Sequence, residues 1–153
     1  MLVVLPSTQM KAFCICILSL GLLSACGGPA VLRKDYSRFS GCSEDKIETS
    51  EIGDGRYRFT TRYSVSGCGN SADYVYRLTD NTCASAKVTV ARRHAKQFEC
   101  PLGKVSVEYL DGGSWQAMGC GHTMTYQCVE TEEEVLVRCI AETDERQRRG
   151  AQN

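Results

Sequence analysis

Two histidines and one tryptophan stand in a chain of 153 residues. Only His94 and His122 can exchange protons near neutral pH without a large pKa shift, so little is on hand for acid–base catalysis. No Cys-x-x-Cys occurs, which argues against a thioredoxin-like redox site. No loop alternates Asp and Asn as calcium loops do. No Ser, His and acid share a recognisable local context, although triads are scattered in sequence and an enzyme stays an alternative. No apolar run reaches the roughly 20 residues of a membrane-spanning helix. The formal net charge is zero. Without Lys11, the one charge in residues 1–25, it is −1, divided unevenly as +4 from Cys26 to Phe98 and −5 from Glu99 to Asn153. Neither half is basic enough to indicate nucleic acid. The imbalance reads as drift in surface charge, with polar docking as the alternative.

What is present begins with an address. Met10-Lys11 precedes a short apolar run, Ala12 to Leu23, and then small residues, the layout of a signal peptide. Residues 1–25 are read as that signal, with Met10 an alternative start. The run closes on Leu23-Ser24-Ala25-Cys26, which resembles the lipobox of bacterial lipoproteins. That resemblance implies cleavage before Cys26, a diacylglyceryl thioether on its sulfur and an acyl chain such as palmitate on the new amino terminus. Two or more chains anchor stably where one does not. The lipid is the only covalent group expected, and no metal or other cofactor is. Gly27 follows, where an Asp commonly retains such proteins at the inner membrane, so the outer membrane is favoured.

Cys14 and Cys16 leave with the signal and Cys26 takes the lipid. Cys42, Cys68, Cys83, Cys100, Cys120, Cys128 and Cys139 remain. Export places them where disulfides form, and a small domain needs such staples. Their odd number leaves one thiol over.

The chain repeats itself. Val65 to Tyr76 lies over Ala117 to Cys128 without a gap; Gly-Cys-Gly recurs and Tyr74 falls on Tyr126. Tyr63 corresponds to Trp115, Gly53-Asp54-Gly55 to Asp111-Gly112-Gly113, and Cys42 to Cys100. The first copy carries extra residues between that turn and Gly-Cys-Gly. Each copy reads as three antiparallel strands. Lys46 to Ile52 or Lys104 to Leu110 comes first. The next strand carries Tyr57, Phe59, Tyr63 and Val65, or Trp115 and Ala117. The third carries Ala72, Tyr74 and Tyr76, or Met124, Tyr126 and Cys128. The fold expected is mainly β, or α+β, with two tandem three-stranded units sharing a core. Val31 to Phe39 and Ala86 to Phe98 have helical spacing, although Lys87-Val88-Thr89-Val90 also reads as a strand. Residues 26–40 are taken as a lipidated linker and 41–140 as one domain of two repeats, 41–83 and 98–140. A final strand spans Val135 to Ile140, and 141–153 form a polar, disordered tail.

The Gly-Cys, Gly-Cys-Gly and Tyr-x-Cys elements at Gly41-Cys42, Gly67-Cys68-Gly69, Gly119-Cys120-Gly121 and Tyr126-Gln127-Cys128 resemble small lipoproteins of gliding soil bacteria. Tyr76 replaces the expected cysteine and Glu99 the expected glycine. The family has no assigned activity, so the resemblance implies location and fold only.

Matching bonds within the copies are Cys42–Cys68 and Cys100–Cys120. A hairpin turning at Glu133-Glu134 pairs Glu130 with Val137, Val129 with Arg138 and Cys128 with Cys139, close enough for a third disulfide. A longer loop would shift that register. Cys83 is then unpaired, because Tyr76 stands where the second copy has Cys128.

His122 lies between Cys120 and Cys128, yet its counterpart is Asn70, so backbone hydrogen bonding at a turn explains it better than a metal. Arg92-Arg93-His94-Ala95-Lys96 reads as a solvated face, with contact to lipid headgroups as the alternative. Glu132-Glu133-Glu134 reads as a charged hairpin tip. The function expected is a lipid-anchored, non-enzymatic binding or structural module of the cell envelope, with the membrane as partner and an envelope protein as a further candidate. An envelope enzyme and an inhibitor of a secreted protein are the alternatives.

Overall fold

The computed structural model describes residues 28–132 and 136–142. Helix α1 (Gly28–Ser40) leads through a 3-10 turn, Glu44–Lys46, into β1 (Glu48–Asp54), β2 (Thr60–Gly67), β3 (Asn70–Arg77) and β4 (Thr82–Ala84). Helix α2 (Ala86–Gln97) leads through a second such turn, Leu102–Lys104, into β5 (Ser106–Tyr109), β6 (Ser114–Gly119), β7 (His122–Glu130) and β8 (Val137–Ala141). Each set of strands makes a four-stranded antiparallel sheet in chain order. The protein is mainly β and carries disulfides.

The strand pairings of the two halves correspond. Thr49–Val65 pairs as Val107–Ala117 does, and Glu51–Tyr63 as Tyr109–Trp115. Tyr63–Tyr74 answers to Trp115–Tyr126, and Gly67–Asn70 to Gly119–His122. The match extends to the last strand, where Tyr76 opposes Cys83 as Cys128 opposes Cys139. It extends also to the helices. Leu32 and Tyr36 of α1 hold the places of Val90 and His94 of α2, and all four are 0 % exposed.

Several expectations are corrected by this. Each unit has four strands, and the units run 28–84 and 86–141 with the helix as part of each. The linker expected over 26–40 is, from Gly28 on, a packed helix. Lys46 and Lys104 lie in the 3-10 turns, ahead of the strands. Tyr57 and Phe59 lie in the loop before β2, because the extra residues of the first copy are spent there. Tyr63 and Trp115 share equivalent strand positions but are half-buried, whereas Tyr74 and Tyr126 are buried. Ala141 ends β8; residues 143–153 of the expected tail lie outside the described residues, as do 1–27 and the Glu133-Glu134 turn.

The core is also two clusters rather than one. Leu32, Tyr36, Ile47, Val65, Ala72, Tyr74 and Tyr76 fill the first with Val88 of α2. Ala117, Tyr126, Cys128, Val137, Cys139 and Ala141 fill the second with Val90. Val88 and Val90 project from α2 in different directions, so the helix joins both clusters. Each such valine contributes roughly 1.5–3 kcal/mol by burial. Arg92 reaches Asp35 of α1 at 2.9 Å, and Arg93 bonds the Cys139 carbonyl.

The Gly-Cys-Gly element has a geometric cause. Cys68 and Gly69 (φ 51° and 80°) form a two-residue hairpin turn, and Cys120 and Gly121 (φ 49° and 80°) repeat it. Such turns need positive φ at both central residues. The leading glycine answers to a close approach. A Cβ on Gly67 would lie 3.1 Å from Cys42 Sγ and 3.0 Å from the Lys46 carbonyl; on Gly119 it would meet Cys100 Sγ at 3.2 Å.

Candidate functional site at the junction of the copies

The structure brings together the three cysteine pairs named from the sequence. Cys42–Cys68 and Cys100–Cys120 each have Cα atoms 5.8 Å apart, and Cys128–Cys139 4.0 Å. The first two pin the end of a helix to the turn of its own sheet. The third joins directly opposed residues of β7 and β8, in the register Glu130–Val137, Val129–Arg138, Cys128–Cys139.

Cys83 has no disulfide partner among the described residues. Burial, and then the carboxylate of Asp35, push its thiol up to about 12. The folded protein holds the proton while an unfolded chain loses it near the ordinary thiol value. The stability tied to it is therefore lost as pH rises from that value towards 12. At neutral pH the thiolate fraction falls by about a thousandfold. Alkylation of Cys83 in the native protein is expected to be slower by a comparable factor than in urea; equal rates would contradict the burial.

His94 is not on a solvated face. It is 0 % exposed, with Nδ1 3.4 Å from the Tyr126 hydroxyl. His122 is exposed and stacks on Phe98 at 4.2 Å; His94 packs against the same ring at 4.6 Å, tilted to it. Both histidines thus contact one phenyl ring. No group of three or more His, Cys, Asp or Glu side chains able to hold a metal is found among the described residues.

The two copies differ in length at two places, and the fold brings both together. The first is the loop 55–59 between β1 and β2. The second is the β7–β8 hairpin, longer than the β3–β4 turn of the first unit. The Tyr57 hydroxyl donates to the Glu130 carbonyl at 3.0 Å, and Arg62 pairs with the Glu130 carboxylate. Arg77 donates to the Glu132 carbonyl at 3.3 Å. Between them lies a cavity of about 330 Å³, lined by Tyr57 to Thr60, Arg77, Thr79, Asp80, Thr131, Glu132 and Leu136.

Its lining is mixed in chemistry and firmly held. Thr60 Oγ1 donates to the Tyr57 carbonyl at 2.6 Å, and the Gly55 amide donates to the Thr60 carbonyl at 2.9 Å. Arg77 grips Asp80 through Nε and holds its carboxyl well below the usual range, with Thr82 assisting. Phe59 has φ 59° and is 63 % exposed. A left-handed backbone is costly for a bulky residue, and such strain gathers at functional sites. Nothing in the sequence marked this place except the extra residues of the first copy. Its lining comes from three separate loops that meet only in the fold. Compared with protein-family models, with curated proteins and with solved structures, the chain finds no match.

Proposed function

We propose that this protein is a lipid-anchored module of the bacterial cell envelope that binds without catalysis at the junction of its two units. The observation that carries this reading is the convergence of both length differences on one cavity. Duplication makes two like units; what distinguishes them is gathered at a single place lined by an exposed aromatic ring, arginines, carboxylates and hydroxyls. A cavity of this size with a few convergent polar groups suits a small ligand or a peptide side chain. Neither histidine lines it, and the Asp80 carboxylate is held by Arg77. The Leu23-Ser24-Ala25-Cys26 sequence supports the anchor, and three disulfides suit an oxidising compartment.

Two measurements test it. Mass spectrometry of the mature protein is expected to find acyl chains on Cys26, and Cys26→Ala to abolish both processing and lipidation. An unmodified amino terminus elsewhere removes the anchor. Co-purification from native envelopes is expected to yield a bound species that Thr79→Trp, which fills the exposed mouth of the cavity, no longer retains. Identical recovery with both forms removes the binding site.

A further inference from the structure

We infer that the protein rests on the bilayer by the end of its sheets that carries the loops, with Phe59 and Leu78 inserted just beneath the lipid headgroups. This rests on the lipid anchor proposed for Cys26.

The direction of α1 is the first ground. Cys42, just past its last turn, is bonded to Cys68 in the β2–β3 turn. The start of the helix therefore lies over the opposite end of the first sheet. There Gly28 packs so closely on Tyr76 that a Cβ would come within 3.1 Å of its ring. The Tyr76 hydroxyl in turn donates to Asn81 at 2.5 Å, in the β3–β4 turn. The Leu78 amide in that turn donates to the Phe59 carbonyl at 2.9 Å. Anchor side, turn and loop are thus one neighbourhood.

The tether is the second ground. Cys26 precedes Gly28 by two residues, which span at most about 7 Å. Acyl chains on that sulfur leave the folded unit no room to stand away from the membrane.

The surface itself is the third. Phe59 and Leu78 are 63 % and 68 % exposed, and Ile52, at the same end of the sheet, is 52 % exposed. Tyr109, Leu110 and Val129 lie at the corresponding end of the second sheet, brought alongside by the contacts of Tyr57 and Arg77 with the β7–β8 hairpin. Among the described residues, only Met118 of the large exposed apolar side chains lies at the Gly-Cys-Gly end. Aqueous surface alone gives no reason for that bias; a leaflet does. Arg56 and Arg58 are exposed in the same loop and suit lipid phosphates, while Asp80 is engaged by Arg77. Glu132 stands on the second unit's side. The contact is therefore led by apolar insertion of the first unit's tips, with the arginines at headgroup level.

The test uses mature, acylated protein reconstituted into phosphatidylethanolamine–phosphatidylglycerol vesicles. Two forms carry a single indole, Phe59→Trp and Met118→Trp, each in a Trp115→Phe background. Lipids brominated on their acyl chains are expected to quench the indole at position 59 several-fold more than the one at 118. In the unaltered protein, amide exchange over 55–60 and 78–81 is expected to slow in vesicles relative to detergent, with 118–122 unchanged. Acylated protein showing equal quenching at both positions, or none at 59, overturns the inference and leaves the anchor standing. Absence of acyl chains on Cys26 overturns the anchor and the inference with it.

Discussion

Tyr126→Ala lowers the stability of the protein by about 3–5 kcal/mol, the cost of emptying a fully buried aromatic site. Tyr126 is 0 % exposed, and Ala117, Cys128 and Ala141 share its cluster. A domain of this size holds only about 5–15 kcal/mol in total, so one such loss removes a large share. The internal match makes a second demand. Tyr74 holds the same position in the first unit at 1 % exposure, and Tyr74→Ala is expected to cost a similar amount. The hydroxyls differ. Tyr74 donates to Asp35 at 3.0 Å, and burial together with that carboxylate raises its pKa. Tyr126 meets neutral groups at longer range, Gln97 at 3.3 Å and His94 Nδ1 at 3.4 Å. Tyr74→Phe is therefore expected to cost about 1–2 kcal/mol, more than Tyr126→Phe, because it leaves a carboxylate short of a donor. Guanidinium unfolding of the oxidised protein, followed by Trp115 fluorescence, measures all four. An alanine cost below about 1 kcal/mol at either tyrosine contradicts its place in the core.

Opening the Cys42–Cys68 bond with Cys42→Ala and Cys68→Ala costs about 3–4 kcal/mol on the chain-entropy account. The closed loop spans a sequence separation of 26, against 20 for Cys100–Cys120 and 11 for Cys128–Cys139. The same account puts the shortest loop at about 3 kcal/mol, so the entropic differences are modest. Architecture widens them. The first bond holds to its sheet the end of α1, whose Leu32 and Tyr36 fill the first cluster. The third joins strands already paired by a ladder of backbone hydrogen bonds. Replacing both cysteines in each pair avoids a stray thiol that would capture Cys83. Thermal unfolding of the three double variants is expected to rank Cys42–Cys68 as the most costly to lose and Cys128–Cys139 as the least. A reversed order would place packing around the buried Cys128 and Cys139 above loop closure.

The residues alone carried the repeat, the strand character of its parts and the cysteine pairs, because these are local or periodic properties. Alternation of side chains in Val105 to Tyr109 reads as a strand wherever it sits. A shared Gly-Cys-Gly implies a shared turn, since positive φ at two successive residues admits few sequences. The β7–β8 register could be counted outward from an assumed turn. The full extent of the repeat was not legible, because Gly28–Ser40 and Ala86–Gln97 share almost no side chains. Their kinship shows only once Leu32 and Val90, or Tyr36 and His94, are seen filling the same places. Glu99 shows why identity fades: it adopts φ 49° at the helix end where Gly41 adopts 71°, so the backbone is kept while the residue that suits it is not. His94 looked solvated among its charged neighbours, since sequence adjacency says nothing of which side of a helix meets a sheet. The cavity needed the tertiary structure most of all. Its lining comes from positions as far apart as Tyr57 and Leu136, and only the stacking of one unit beside the other makes them neighbours.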